Sequence, residues 1–151
     1  MAMEIRTLAP SAPQFGPAAK LFDDYRVHYG QVSDLEGTRK WLTEQVGAGS
    51  LAMTVALRDD RVSGLITSTV MPASLRLGVA WSVRDLFVPP DARRGGVARA
   101  LLDHVIAEAR AAGALRVALQ TEPENGPALA LYTAAGFRPV DGLTSLMVGL
   151  N

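Results

Sequence analysis

Apolar positions recur along this chain at two spacings, and the alternation between them predicts the elements. "MEIRTLAP" (3–10, starting at Met3) reads as a short strand that proline closes. In "PAAKLFDDYRVHYGQ" the residues Leu21, Phe22, Tyr25 and Tyr29 fall on one helical face. "SDLEGTRKWLTEQVG" offers Ser33 or Asp34 as a cap and stops at Gly47, which predicts a second helix. Two runs rich in β-formers flank Asp59-Asp60, the pattern of a hairpin. "LGVAWSVRDLFV" predicts a longer strand closed by Pro89-Pro90. The clearest helix is "GGVARALLDHVIAEARAAG", where Leu101, Leu102, Val105, Ile106 and Ala109 line one side and Gly113 supplies the stop. "LRVALQT" follows as a buried strand, then a short helix in "ENGPALALYTAAG" with Pro127 in its first turn. "FRPV" and "TSLMVGL" read as closing strands. The strand–helix–strand unit in the middle predicts two parallel strands, and the hairpins predict antiparallel neighbours. The expectation is a mixed sheet with helices on both faces.

The strand-to-helix junction in "FVPPDARRGGVARALLDHVIAEARAAG" carries the candidate chemistry. The first N–H groups of a helix lack internal partners, and the macrodipole puts partial positive charge beside them. Gly95 and Gly96 remove side chains that would hold an anion away from the backbone, and Arg93 and Arg94 can add charge-assisted hydrogen bonds. These parts suit a pyrophosphate, although a basic surface turn with two permissive glycines would look the same. Two familiar phosphate loops fail. No Lys-Ser or Lys-Thr pair completes a P-loop, and the glycine spacing is wrong for a dinucleotide fingerprint.

Composition narrows the classes. A chain of 151 residues is the size of one domain, so a single domain over residues 1–151 is expected. The formal net charge is zero, which disfavours a general nucleic-acid binder. With no cysteine, thiolate catalysis, disulfides and cysteine-bound zinc are all excluded. His28 and His104 are the only histidines, so a metal site is not expected. No apolar run has the length of a membrane helix, and the first residues lack the basic and apolar regions of a signal peptide. A cytoplasmic protein with no membrane partner is the expectation.

At this point the residues resemble a known family. "Arg93-Arg94-Gly95-Gly96-Val97-Ala98" is similar to the [QR]-x-x-G-x-[GA] loop of the GCN5-related N-acetyltransferases (GNAT), which binds the pyrophosphate of acetyl-coenzyme A. Downstream, the segment from Asn125 to Phe137 resembles the N-x-x-A-x-x-L-Y-x-x-x-G-F stretch of that family, and "DLFV" before the loop is also typical. The likeness is strongest from Val79 to Val140. It implies an α/β fold with a central mixed, mostly antiparallel sheet of about seven strands, flanked by helices, with a parallel splayed pair at the cofactor site. It also implies roles. Leu86, Phe87 and Val88 would offer backbone groups to the pantetheine arm. Arg93, Arg94, Gly95, Gly96, Val97, Ala98 and Arg99 would surround the pyrophosphate, Asn125 would contact the cofactor arm, and Tyr132 would sit near the sulfur. Acetyl-CoA would be a co-substrate, no metal would be needed, and members often pair as homodimers.

Acetyl transfer to an amine develops an oxyanion, which a fixed N–H donor on the "DLFV" strand could stabilise. A tyrosine titrating near about 10 is suited to protonate the departing thiolate, and Tyr132 fits, against the reading of a core aromatic. The amine must be neutral to attack, so a base or water relay is required. Here the chain departs from one family pattern. Gln120 stands five positions before Asn125, where members that acetylate protein N-termini carry glutamate. Asp85, Glu122 and water remain as candidates, with Asp85 preferred to Glu122, although a carboxylate that only holds the strand end would look the same. Trp41 and Trp81 read as core or interface residues, and His104 as surface. The expected reaction is direct acetyl transfer to a small amine, an amino acid or a basic peptide. A different acyl donor, an antibiotic acceptor or a non-catalytic acyl-CoA-binding module are the alternatives.

Overall fold

In the computed structural model, which describes residues 2–151, the runs around Asp59-Asp60 form the expected hairpin. Strand β2 (Ala52–Arg58) turns into β3 (Arg61–Ala73). Asp59 and Asp60 both take positive φ, 51° and 61°, as a two-residue turn matching the strand twist requires. Strand β1 (Glu4–Thr7) lies beside β2, and β4 (Gly78–Phe87) beside β3, all antiparallel. After helix α3 (Val97–Ala111), β5 (Val117–Ala118) pairs parallel with β4. The order β1-β2-β3-β4-β5 follows the chain without a strand exchange. The described residues divide into two compact units between Gln120 and Thr121. The first holds this sheet with α1 (Phe15–His28), α2 (Leu35–Gly47) and α3, and the second holds α4 (Gly126–Ala134).

Among the described residues the sheet has five strands where about seven were expected. Neither "FRPV" nor "TSLMVGL" enters a ladder among the described residues. In the first, Pro139 has no N–H to donate, and the Arg138 guanidinium bonds back to the carbonyls of Thr133 and Phe137. In the second, the apolar pattern suits a strand, but a strand exists only through its hydrogen-bonded neighbour. β5 is also much shorter than the "LRVALQT" run that predicted it.

The sheet buries both faces, and the period of two assigns them. Met53, Val55, Leu57 and Leu65 join Phe87 in one cluster with Phe15, Ala18, Ala19, Leu21 and Phe22 of α1. The neighbouring position Gly64 faces α3 instead. A Cβ there would lie 2.6 Å from the Val97 side chain and 3.3 Å from that of Leu101. Only glycine lets the first turn of α3 sit this close to β3. Leu101, Leu102, Val105 and Ala109 are buried, as the helical pattern predicted, with Ile106 at the margin; Val97, in the first turn, is buried as well.

Asp34 caps α2 by accepting from the Gly37 N–H at 2.9 Å. The adjoining α1–α2 corner is organised by a buried carboxylate. Asp23 accepts from the Ser33 hydroxyl (2.6 Å), the Asp34 N–H (3.0 Å), Arg26 (2.9 Å) and the Thr38 hydroxyl (3.3 Å). The Ser33 bond contributes most in holding its pKa at about 2, below the ordinary 3.8. A folded-state pKa that is depressed stabilises the fold above the unfolded value and loses that contribution as pH falls through the folded one. Melting temperature should therefore decline as pH drops from 3.8 towards about 2. Asp23→Asn should be less stable at neutral pH and show a flatter decline in that window. An equally steep decline in the variant, followed by circular dichroism, would remove Asp23 from the account.

Trp41 was expected in a core or interface and is 48% exposed on α2, where its indole faces solvent along with Tyr29 at the end of α1, 56% exposed. His104 pairs with Glu108 one turn along α3, at 3.0 Å, on the outer side of the helix.

Candidate active site

The junction between β4 and α3 is built by backbone geometry. β4 pairs with β3 through to Phe87, but its parallel ladder with β5 contains only Trp81 with Val117 and Ser82 with Ala118. From Val83 to Phe87 the β5-side edge of β4 has no ladder partner among the described residues. The register with β3 passes from Thr67–Asp85 to Ser68–Val83, so Arg84 is an extra residue in a bulge. A bulge raises local twist and bends a strand, and this one lies just past the last rung of the β4–β5 ladder. Leu86, Phe87 and Val88 occupy this stretch, with Phe87 buried and the other two half-buried.

Beyond Val88, Pro89 leads into a single 3-10 turn, Pro90–Ala92. Arg93 is extended (φ −72°, ψ 161°), and its Nε donates to the Val88 carbonyl at 3.0 Å, closing the loop against the strand it left. Arg94 has φ +67° and Gly96, the residue capping α3, has φ +78°. These left-handed residues aim successive peptide groups toward one side. The first bond returning to the bend is Ala100 N–H to the Gly96 carbonyl, at 3.0 Å. The N–H groups of Gly95, Gly96, Val97, Ala98 and Arg99 donate to no acceptor among the described residues. Five consecutive donors at the positive end of a fifteen-residue helix fit a diphosphate in number and in sign.

The two glycines serve different ends. At Gly96 the positive φ is the requirement, since nothing lies within 4 Å of where a Cβ would be. At Gly95 the space is taken, because a Cβ would lie 2.9 Å from both terminal nitrogens of Arg58. Arg58 Nη2 donates to the Gly95 carbonyl at 2.8 Å. The sequence reading missed Arg58; the available signal was a cation ending the otherwise uncharged run of β2.

Asp85 projects from β4 toward α1. The Tyr25 hydroxyl donates to its Oδ1 at 2.8 Å, and the Thr67 hydroxyl donates to Oδ2. Tyr25 in turn packs its ring on Phe22, Tyr29 and Phe87, and His28 stacks on Phe87 beside it. An ionised carboxylate has about four acceptor positions, so two hydroxyls leave it able to accept more. Neither hydroxyl was foreseen, because Tyr25, sixty positions away, meets Asp85 only through the packing of α1 on the sheet, and Thr67, eighteen away, only through the β3–β4 register. Asp85, Leu86, Phe87, Val88 and Arg93 through Arg99 thus form one continuous β4–α3 corner.

Asn125 and Tyr132 belong to the second unit. Asn125 Oδ1 accepts from the Ala128 N–H at 3.3 Å, which makes it the cap of α4, with Pro127 in the first turn as expected. Tyr132 is half-buried, one turn from the helix end, with its ring edge-on to Phe137 at 6.0 Å between centroids. Gly136, at φ +106°, makes the reversal that returns Phe137 to that ring.

An open stretch of β4 thus leads, through the bend, into a row of N–H groups without partners among the described residues. The profile of the Acetyltransferase (GNAT) family matches residues 18–137. The chain belongs to the GNAT acetyltransferase family. It is therefore an acetyltransferase, and its family implies use of acetyl-CoA. A relative from Bacillus subtilis (strain 168), the uncharacterized N-acetyltransferase YhfO, is 31% identical over 124 residues, 82% of this chain and 83% of the relative. The mycothiol acetyltransferase of Beutenbergia cavernae is 32% identical over 93% of this chain, which spans 40% of that longer protein. The solved structure of a probable acetyltransferase superposes with a TM-score of 0.89 at 30% identity, over 100% of this chain and 99% of that one. An aminoglycoside acetyltransferase from an uncultured soil metagenomic sample shares the fold, with a TM-score of 0.81 at 19% identity over 99% and 97% of the two chains. Among the described residues of this GNAT chain, no helix is long and apolar enough to cross a membrane.

Proposed function

We propose that this chain, acting as one catalytic domain, transfers the acetyl group of acetyl-CoA directly to a primary amine on a small molecule, an amino acid or a basic peptide. The observation that carries this reading is the row of unpartnered N–H groups from Gly95 to Arg99. Those donors, with Arg93 and Arg94 beside them, hold the diphosphate. The open edge of β4 at Leu86, Phe87 and Val88 receives the pantetheine arm, with Asn125 as a further contact. Bound acetyl-CoA supplies an acyl group already activated as a thioester. The Tyr132 hydroxyl holds the proton that the departing sulfur takes, and Asp85 accepts a proton from the incoming amine.

Support for Asp85 is its position within the open stretch of β4, with hydroxyls on both oxygens fixing the carboxylate plane. Support for an amine acceptor comes from the YhfO relative, named as an N-acetyltransferase. The bS18-alanine N-acetyltransferase of Salmonella typhimurium, 34% identical over 52% of this chain, agrees with it. The test is release of free thiol from acetyl-CoA across a panel of amines, amino acids and lysine-bearing peptides, alongside calorimetry with CoA alone. Turnover with at least one amine is expected. Heat of CoA binding without thiol release on any amine would leave a binding module, and absence of both would refute the reading.

A further inference from the structure

We infer that Arg58 is a positioning residue for the cofactor loop, aiming the Gly96 N–H by holding the carbonyl on the other side of the same peptide. The inference rests on the proposal that this bend holds a diphosphate. The peptide joining Gly95 to Gly96 is trans, and a trans peptide points its C=O and N–H in opposite directions. Arg58 Nη2 binds the Gly95 oxygen at 2.8 Å. The Gly96 hydrogen therefore faces away from Arg58, and the peptide keeps that orientation while the bond holds.

Without that bond the peptide plane would be poorly determined. It lies between two glycines, for which positive and negative φ are nearly equal in cost. A flip would replace a donor in the row with a carbonyl oxygen, turning its partial negative charge toward a bound anion. Arg58 opposes the flip with a charge-assisted bond and a guanidinium that occupies the space beside Gly95, 2.9 Å from a Cβ built there. The side chain starts from a fixed point, since Arg58 ends β2 directly before the Asp59-Asp60 turn; its Nε is buried and has no acceptor among the described residues, so the Nη2 bond to Gly95 is what orients the guanidinium. The absence of a Cβ at Gly95 is thus explained by the approach of Arg58, and at Gly96 by the left-handed backbone.

The test compares wild type, Arg58→Met, Arg58→Lys, Arg58→Ala, Gly95→Ala and the Arg58→Ala/Gly95→Ala double variant by calorimetry with CoA and by steady-state kinetics on an amine that turns over. Loss of a bond to a charged group should raise the Kd for CoA and the KM for acetyl-CoA by about tenfold to a hundredfold in Arg58→Met. The amine KM and kcat should stay within about twofold, and Arg58→Lys should recover part of the loss. Gly95→Ala displaces the guanidinium without deleting it and should raise the same KM. It should cost much less when added to Arg58→Ala, where the clash is gone, and this non-additivity is not expected of two unrelated structural lesions. Should Arg58→Met fail to fold, Gly95→Ala alone and combined with Arg58→Ala decides the matter. A wild type that binds CoA, with Arg58→Met binding equally well, overturns the role of Arg58 alone. A wild type that does not bind CoA overturns the diphosphate reading and this inference with it.

Discussion

Tyr132→Phe lowers kcat about a hundredfold to a thousandfold, with the KM for acetyl-CoA within about twofold of wild type. The substitution removes one oxygen and leaves the ring, so the edge-on contact with Phe137 and the helix α4 around it persist. What goes is the proton held for the departing thiolate. A thiolate can leave unprotonated, but it does so into a less favourable charge state, which is why a residual rate is expected. The effect should appear in the chemical step and not in cofactor binding, so kcat and kcat/KM fall together. Single-turnover thiol release, read with the dye signal of free CoA, separates this from slow product departure. An unchanged kcat would return Tyr132 to the role of a packing aromatic and direct the search for the acid elsewhere.

Gly96→Val should nearly abolish acetyl-CoA binding, raising its KM by about a hundredfold or beyond the measurable range, with far smaller effects on melting temperature. A β-branched residue at φ +78° is strained by roughly 1–3 kcal/mol, and the chain relieves that strain by moving to negative φ. That movement rotates the peptides on either side and scatters the donors that begin α3. Binding suffers more than stability because several charge-assisted bonds to one anion depend on the same backbone angle. Gly16→Ala is the internal control. Gly16 lies exposed in α1, its φ is not left-handed, and nothing lies within 4 Å of a Cβ there. It should bind CoA like wild type and melt slightly higher, since alanine favours helix. If Gly96→Val bound CoA as well as that control, the left-handed cap would have no part in holding the diphosphate.

Local chemistry made much of the β4–α3 corner readable. Gly and Pro mark their own backbone angles, so Pro89-Pro90, Gly113 and Gly136 announced where elements stop, and Gly96 and the Asp34 cap announced where α3 and α2 start. The apolar side of α3 was legible because a 3.6-residue period needs no knowledge of what covers it. The closing segments behaved differently. "TSLMVGL" has the composition of a strand, but pairing partners lie far off in sequence and no local rule supplies them. The same limit hid the Arg84 bulge, which is a mismatch between two strands and has no signature within either.

By itself, the sequence determined the α/β class, the parallel strand pair across α3, the diglycine bend that opens α3 and the family to which the chain belongs. Each of these is written in residues near one another, whose conformational preferences act within a turn or two. Only the tertiary structure decided that Tyr25 and Thr67 hold Asp85, that Gly64 admits α3 against β3, and that Arg58 grips the Gly95 carbonyl. Those contacts join residues between 18 and 60 positions apart. They exist because burying both faces of one sheet fixes distant segments against each other, and no short-range preference encodes which side chains then meet.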